Sequence, residues 1–75
     1  MSCTRFQLRA ALLRAGLLEV ANATRALKDG VAALAWEHAD VWRPSSITLQ
    51  AIAKELGMTE DQLDDLFTDA VGLQP

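Results

Sequence analysis

The chain has 75 residues, of which 51% are hydrophobic and 23% are charged, and its formal net charge is −3 at pH 7. This apolar content excludes a disordered tail, and a single cysteine excludes a framework of internal disulfides. A chain of this length forms one small domain over residues 1–75, whose helices must pack closely or whose copies must associate, because its core is small.

The amino-terminal residues predict a helix that begins at Thr4. Thr4 and Gln7 have the Thr-x-x-Gln spacing of a capping box, and Gly16 suits the left-handed position that ends a helix. The first helix therefore runs to about Ala15. A second segment, residues 17–28, has a less regular apolar pattern and stops at the aspartate-glycine pair that follows it.

The middle of the chain predicts two more helices. The third, residues 31–42, ends before Pro44, because the residue that precedes a proline disfavours the helical conformation. The fourth, centred on residues 49–56, has two candidate caps, Ser46 and Thr48. No stretch alternates apolar and polar residues in the manner of a strand, so no strand is predicted.

The last predicted helix follows Gly57 after a short turn. Thr59 and Gln62 form a second possible capping box, and the helix covers roughly residues 60–71. The predicted fold class is all-α: a compact bundle of four to five short helices, with the last two in a helix-turn-helix-like arrangement.

The predicted helices differ in how many apolar faces they have. The fourth and fifth each have one, formed by Leu49, Ile52, Ala53 and Leu56 and by Leu63, Leu66, Phe67, Ala70 and Val71. The first has a stripe of Leu8, Ala11, Leu12 and Ala15, and the third a stripe of Val31, Leu34, Ala35 and Trp42.

The first and third helices each also have a second apolar side, which includes Phe6 and Leu13 in the first and Trp36 in the third. Two interpretations are open. Either such a helix lies centrally and contacts neighbours on both sides, or these three residues are anchors in an interface with a partner, where aromatic residues are enriched.

The residue inventory does not predict an enzyme. His38 is the only histidine and has no second histidine or cysteine with which to bind zinc, so a hydrogen-bonded, half-buried side chain is expected there. No glycine-rich phosphate loop follows a strand, and no nucleophile with its base can be assembled. We expect no cofactor and no metal, and an unreactive Cys3 thiol in a frayed amino terminus.

The amino-terminal 23 residues do not have the pattern of a signal peptide. Charges at Arg9, Arg14 and Glu19 interrupt the apolar run that such a peptide needs, and no uninterrupted run approaches the roughly 20 residues that span a bilayer. The sequence predicts a soluble, cytoplasmic protein.

The stretch "SITLQAIAKELGMTEDQLDDLF" resembles the helix-turn-helix of tetracycline-repressor-type regulators. The packing positions of that motif are filled here by Ile52, Ala53, Gly57, Leu63 and Phe67. The resemblance covers about half of the chain and implies that the fifth helix stands where those regulators have their recognition helix.

The charge of that helix argues against DNA binding. It has no basic residue, and its acidic residues are Glu60, Asp61, Asp64, Asp65 and Asp69. DNA binding depends largely on lysines and arginines that neutralise phosphates, so this surface would be repelled. Three interpretations of the acids are open: solubility, a docking surface formed by Asp61, Asp64, Asp65 and Asp69 for a basic partner, or mimicry of DNA.

The whole chain resembles a family of small uncharacterised prophage proteins encoded near tail genes. The matching stretches are "RFQLRAALLRAGLLEV", "LAWEHADVWRP" and "LGMTEDQLDDLF". The chain departs from the family pattern after Pro44, where Ser45 and Ser46 replace the usual apolar residue, and the fourth helix is therefore expected to start later.

This resemblance implies a phage origin and a non-enzymatic protein-interaction module, accessory to tail or virion assembly. It also implies a location in the host cytoplasm or in association with the virion. Its expected partner is a second copy of the chain or a phage tail or virion protein, with nucleic acid disfavoured and no membrane partner. The alternative is a truncated repressor-like regulator that binds DNA or blocks another protein's DNA binding.

Overall fold

The computed structural model describes residues 1–75 and confirms a small all-α bundle, with five α-helices. In chain order, the elements are β1 (Cys3–Thr4), α1 (Arg5–Arg14), α2 (Leu18–Asn22), a 3₁₀ turn (Arg25–Lys28), α3 (Gly30–His38), β2 (Val41–Trp42), α4 (Ile47–Glu55) and α5 (Glu60–Ala70). The bundle measures 30 × 24 × 21 Å. No helix is both long enough and apolar enough to cross a bilayer.

Both predicted capping boxes are present. The Thr4 hydroxyl accepts a hydrogen bond from the Gln7 backbone N–H at 3.1 Å, and the Gln7 side chain accepts one from the Thr4 N–H at 2.9 Å. Thr59 and Gln62 repeat the arrangement at the start of α5 with the same distances. Each box satisfies two backbone N–H groups that the first turn of a helix leaves without a partner.

The two predicted helix-ending glycines also adopt the left-handed conformation. Gly16 follows the last turn of α1 with φ of 74°, and Gly57 follows α4 with φ of 72°. A residue with a Cβ is disfavoured at such angles, which is why glycine marks these helix ends. Ser46 caps α4, because its hydroxyl accepts a hydrogen bond from the Leu49 N–H at 3.3 Å. Thr48, the other candidate, lies inside the helix.

The prediction of one continuous second helical segment is wrong, because this part of the chain forms two elements, α2 and the 3₁₀ turn. Thr24 lies between them in an extended conformation, with φ of −66° and ψ of 151°. Its hydroxyl donates a hydrogen bond to the Ala21 carbonyl at 3.1 Å in a buried position. Threonine is a poor residue for a helix interior, because its hydroxyl competes for backbone partners, and the break lies at this residue.

The predicted third helix is also wrong at its end. It starts one residue earlier than predicted, at Gly30, and stops at His38, since Ala39 is extended with φ of −68° and ψ of 125°. The strand β2 that follows pairs with β1 in an antiparallel register that places Cys3 opposite Trp42. A two-residue ribbon was not predicted, because neither strand is long enough to show alternation. Cys3 is consequently buried, and the expected frayed amino terminus is corrected.

The core joins all the helices and the ribbon. Its members are Cys3, Leu8, Ala11, Leu12, Ala21, Trp36, Trp42, Leu49, Ile52, Ala53, Leu63, Leu66, Phe67 and Ala70. The single stripes predicted for α4 and α5 are confirmed except at their ends, where Leu56 is half-buried and Val71 is exposed. In the stripes predicted for α1 and α3, Ala15, Val31 and Leu34 are exposed.

Candidate interaction surface

The outward side of α1 has a stripe of apolar side chains, and we call Phe6, Ala10 and Leu13 the α1 stripe. Phe6 is 46% exposed and Leu13 is 65% exposed, with the half-buried Ala10 between them. Their spacing of i, i+4 and i+7 places all three on one side of the helix. The opposite side of α1 is formed by three of the buried core residues, so this helix is apolar on both sides, as predicted.

One edge of the α1 stripe is bounded by two arginines that bind the end of α3. The Arg9 guanidinium lies 4.7 Å from the centroid of the Trp36 ring and donates a hydrogen bond to the Trp36 carbonyl at 2.9 Å. Arg5 donates to the Glu37 carbonyl and lies 4.0 Å from the Asp40 carboxylate. Both guanidinium groups are thus bound within the chain, and they fix the angle between α1 and α3.

The other edge is bounded by the carboxyl-terminal end of α5. The Gln7 side-chain amide donates to the carbonyls of Leu73 at 3.1 Å and Val71 at 3.4 Å, which brings the exposed Val71 to this edge. Further along, Arg14 forms a salt bridge of 3.7 Å with Asp69. Each edge of the α1 stripe therefore has one arginine-aspartate pair.

Trp36, the third predicted anchor, lies in the core instead. It is only 4% exposed, and its indole Nε1 donates to the Asn22 side-chain oxygen at 2.7 Å. Its ring meets Trp42 edge to face, with centroids 5.7 Å apart. Trp36 therefore lies on the buried side of α3, whereas the other apolar side of this helix exposes Val31 and Leu34, and the expectation of an exposed anchor at Trp36 is corrected.

The acidic residues of α5 lie on its outward side. Asp61, Asp64 and Asp65 are exposed and form no salt bridge, whereas Asp69 is paired with Arg14. A groove of about 650 Å³ between α4 and α5 borders this surface. It is lined by Pro44, Ser45, Gln50, Ala53, Lys54, Gly57, Met58, Thr59, Glu60, Leu63 and Asp64. Lysine and carboxylate side chains share its rim, so the groove has no single sign of charge.

Neither His38 nor Cys3 has the setting of a catalytic or metal-binding residue. The His38 side chain is 72% exposed and has only Glu37, at 3.9 Å, as a charged neighbour, so the predicted half-buried histidine is corrected. Burial raises the pKa of the Cys3 thiol above its ordinary value, which keeps it protonated and unreactive. No three His, Cys, Asp or Glu side chains cluster in a way that suits a metal ion.

Sequence reasoning missed two contributors to the surface. Ala10 has the helical spacing that places it between Phe6 and Leu13, and this signal was available in the sequence. Val71 was assigned to the core of α5, and only its contact with Gln7, which is remote in sequence, places it beside α1.

No protein-family model matches this chain, and no curated protein or solved structure is significantly similar to it. The function must therefore be argued from the surface itself.

Proposed function

We propose that this chain is a non-enzymatic protein-interaction module that acts as an accessory in phage tail or virion assembly. The observation that supports an interaction role is the α1 stripe, in which a phenylalanine and a leucine are exposed on an ordered helix. The assignment to phage assembly rests on the whole-chain resemblance to small prophage proteins encoded near tail genes.

The α1 stripe contains one exposed aromatic side chain, Phe6, of the kind that is enriched at interface centres. Aromatic side chains are enriched among the residues that dominate binding energy, and they act best where polar groups around them exclude water. Phe6 has this setting, since charged and amide side chains border both edges of the stripe. The arginines are already held by the chain, so a partner would bind without first ordering them.

The proposal is tested by capture from an induced lysogen that encodes this chain. The bait is the full chain, and retained proteins are identified by mass spectrometry. We expect a phage tail or virion protein to be retained by the wild-type bait and lost with the double variant F6S/L13S. The matched control V31S/L34S removes two side chains of α3 that are 75% and 60% exposed, and it should retain the same protein.

A bait that retains no phage protein would contradict the proposal, as would equal capture by both double variants. Circular dichroism of each variant shows whether the helices are intact, so that loss of capture is not confused with loss of the fold.

The runner-up is a repressor-like regulator that binds DNA or blocks another protein's DNA binding, and it is favoured by the α4–turn–α5 outline. Two observations count against direct binding. The outward side of α5 is acidic, and the three arginines of α1 are engaged with carbonyls, an aromatic ring or carboxylates of their own chain. DNA affinity needs lysine and arginine groups that are free to meet phosphates.

Direct DNA binding is tested by fluorescence anisotropy of a labelled generic duplex at low and moderate salt. We expect no change in anisotropy at either salt. Salt-sensitive binding with a dissociation constant of about 10⁻⁴ to 10⁻⁶ M would instead support the regulator, since non-specific DNA binders fall in that range. In that case R5Q and R9Q would be expected to weaken it.

A further inference from the structure

We propose that the α1 stripe pairs with the α1 stripe of a second copy, in an antiparallel two-fold contact. This inference rests on the proposed interaction function and names its first partner. It is carried by three features of the same face: the symmetry of the apolar side chains, the charges at the edges and the position of Arg9.

The apolar side chains match themselves under a two-fold rotation. Phe6 and Leu13 are separated by about 10 Å along the helix axis, and the midpoint between them lies beside Ala10. An antiparallel second copy centred there places Phe6 against Leu13 of the second copy, and Leu13 against its Phe6. The small Ala10 side chain at the crossing lets the two helices approach closely. An aromatic residue thus meets an aliphatic one at both ends, as an isologous contact requires.

The charges at the edges do not select a partner of one sign. Arg5 lies beside Asp40 at one edge, and Arg14 is paired with Asp69 at the other, so each edge holds both signs. A uniformly acidic or basic partner would be attracted by half of each edge and repelled by the other half. A second copy presents edges of the same mixed sign.

Like charges are also kept apart by the reversal of the helix. Arg5 lies 4.5 residues along the helix from the two-fold rotation axis, so the two copies of Arg5 are about 14 Å apart along the helix direction. This separation exceeds the Debye length of about 8 Å at physiological salt. Arg14 is equally far from the two-fold on its other side. Arg9 lies close to the two-fold, but its guanidinium is turned away from the stripe onto the Trp36 ring and carbonyl.

The size of the face sets the strength of the contact. A standard interface has about 20–30 residues on each partner, and the α1 stripe with its edge residues has fewer than that. We therefore expect a weak, concentration-dependent dimer, with a dissociation constant on the order of 0.1 mM. A contact of this strength suits assembly, in which many copies are held at high local concentration.

The test is sedimentation velocity of the full chain from about 10 µM to about 1 mM, which brackets that constant. The weight-average mass of the wild type is expected to rise from the monomer towards twice that value. The control V31S/L34S should behave in the same way. The double variant F6S/L13S should stay monomeric, with its helicity unchanged.

The geometry is tested by charges placed at Ala10. A10E and A10K should each be monomeric, because the two-fold brings two like charges together, and both substitutions preserve helix propensity. An equal mixture should dimerise again, because the glutamate of one copy then meets the lysine of the other. A contact elsewhere would leave A10E as associated as the wild type.

The self-pairing is overturned if the wild type stays monomeric over the whole concentration range. It is also overturned if A10E associates in the absence of A10K. These results are separable from failure of the proposed function. A monomeric wild type that still captures a phage protein through Phe6 and Leu13 refutes only the second copy as occupant. A dimer that captures no phage protein refutes only the assembly role.

Discussion

Helices α1 and α5 begin in the same way and end with different surfaces. Each starts with a threonine-glutamine capping box of the same hydrogen-bond distances, and each buries one side in the shared core. The outward side of α5 is acidic, whereas that of α1 exposes Phe6 and Leu13. A local start signal therefore defines where a helix begins and carries no information about what the helix contacts.

The difference lies in how the two helices use their apolar residues. In α5 nearly every apolar side chain enters the core, and the remaining positions are free to be charged. In α1 the core takes only Leu8, Ala11 and Leu12, and further apolar residues are left on the outside. If solubility were the only requirement on this outer side, it would be polar as in α5.

The largest expected effect compares the only two phenylalanines of the chain. Phe67 of α5 is 0% exposed and Phe6 of α1 is 46% exposed. Phe67→Ala should lower the free energy of unfolding by about 3–5 kcal/mol, because it removes a core side chain and leaves a cavity, and Phe6→Ala by less than about 1 kcal/mol. Urea denaturation of the dilute, monomeric proteins measures both. Equal losses would show that Phe6 belongs to the core and would remove the basis of the α1 stripe.

The next effect concerns the feature that the two helices share. Thr4→Ala and Thr59→Ala should each lower the free energy of unfolding by about 1 kcal/mol, since each deletes the acceptor for a backbone N–H in a first turn. Thermal or urea unfolding gives the values, and the serine variants, which keep the hydroxyl, should recover most of the loss. An unchanged stability in either alanine variant would mean that its capping box contributes nothing.

An effect of similar size distinguishes two arginines within α1. Arg9→Ala should cost about 1–2 kcal/mol of unfolding free energy, because it removes a cation–π contact and a hydrogen bond to the half-enclosed Trp36 carbonyl. Arg14→Ala should cost less than about 0.5 kcal/mol, because both members of its ion pair are well exposed to solvent. Urea denaturation at low and high salt would measure them, and only the Arg14 effect should fade with salt. The reverse order would contradict the assignment of Arg9 to the α1–α3 junction.

The smallest expected effect is a pH dependence at the amino-terminal ribbon. Burial raises the pKa of the Cys3 thiol in the folded chain, so above the ordinary thiol pKa the unfolded chain loses a proton that the folded chain still holds. The contribution of this group to stability is complete below that value and is lost as pH rises through the folded pKa. Urea unfolding at pH 8 and above pH 9 should show a slightly steeper loss for the wild type than for Cys3→Ala. Identical slopes would place the thiol in water.

Helix starts and ends were predictable wherever one side chain or one glycine acts on its own backbone. The capping residues Thr4 and Thr59 and the left-handed Gly16 and Gly57 are of this kind, because each needs only neighbours within four residues. The interruption at Thr24 is also local, but the same residue type occurs within helices, and only its buried hydrogen bond to Ala21 distinguishes this site.

The candidate surface was predictable in part. Phe6 and Leu13 were identified because they lie off the buried side of their helix, and the same reasoning was wrong for Trp36. Trp36 is buried where the Arg9 guanidinium lies over its ring and Asn22 accepts from its indole N–H, and neither contact can be inferred from helical spacing.

The sequence by itself determined the helical class, the caps and the helix-ending glycines, together with the acidic outer side of α5. These features follow from interactions between residues close in the chain and from the periodicity of the helix. Only the tertiary structure decided that α3 stops at His38, that β2 pairs with β1 and that Val71 lies beside α1. Each of these depends on backbone or side-chain partners at least 30 residues away, whose approach is set by the packing of the whole core.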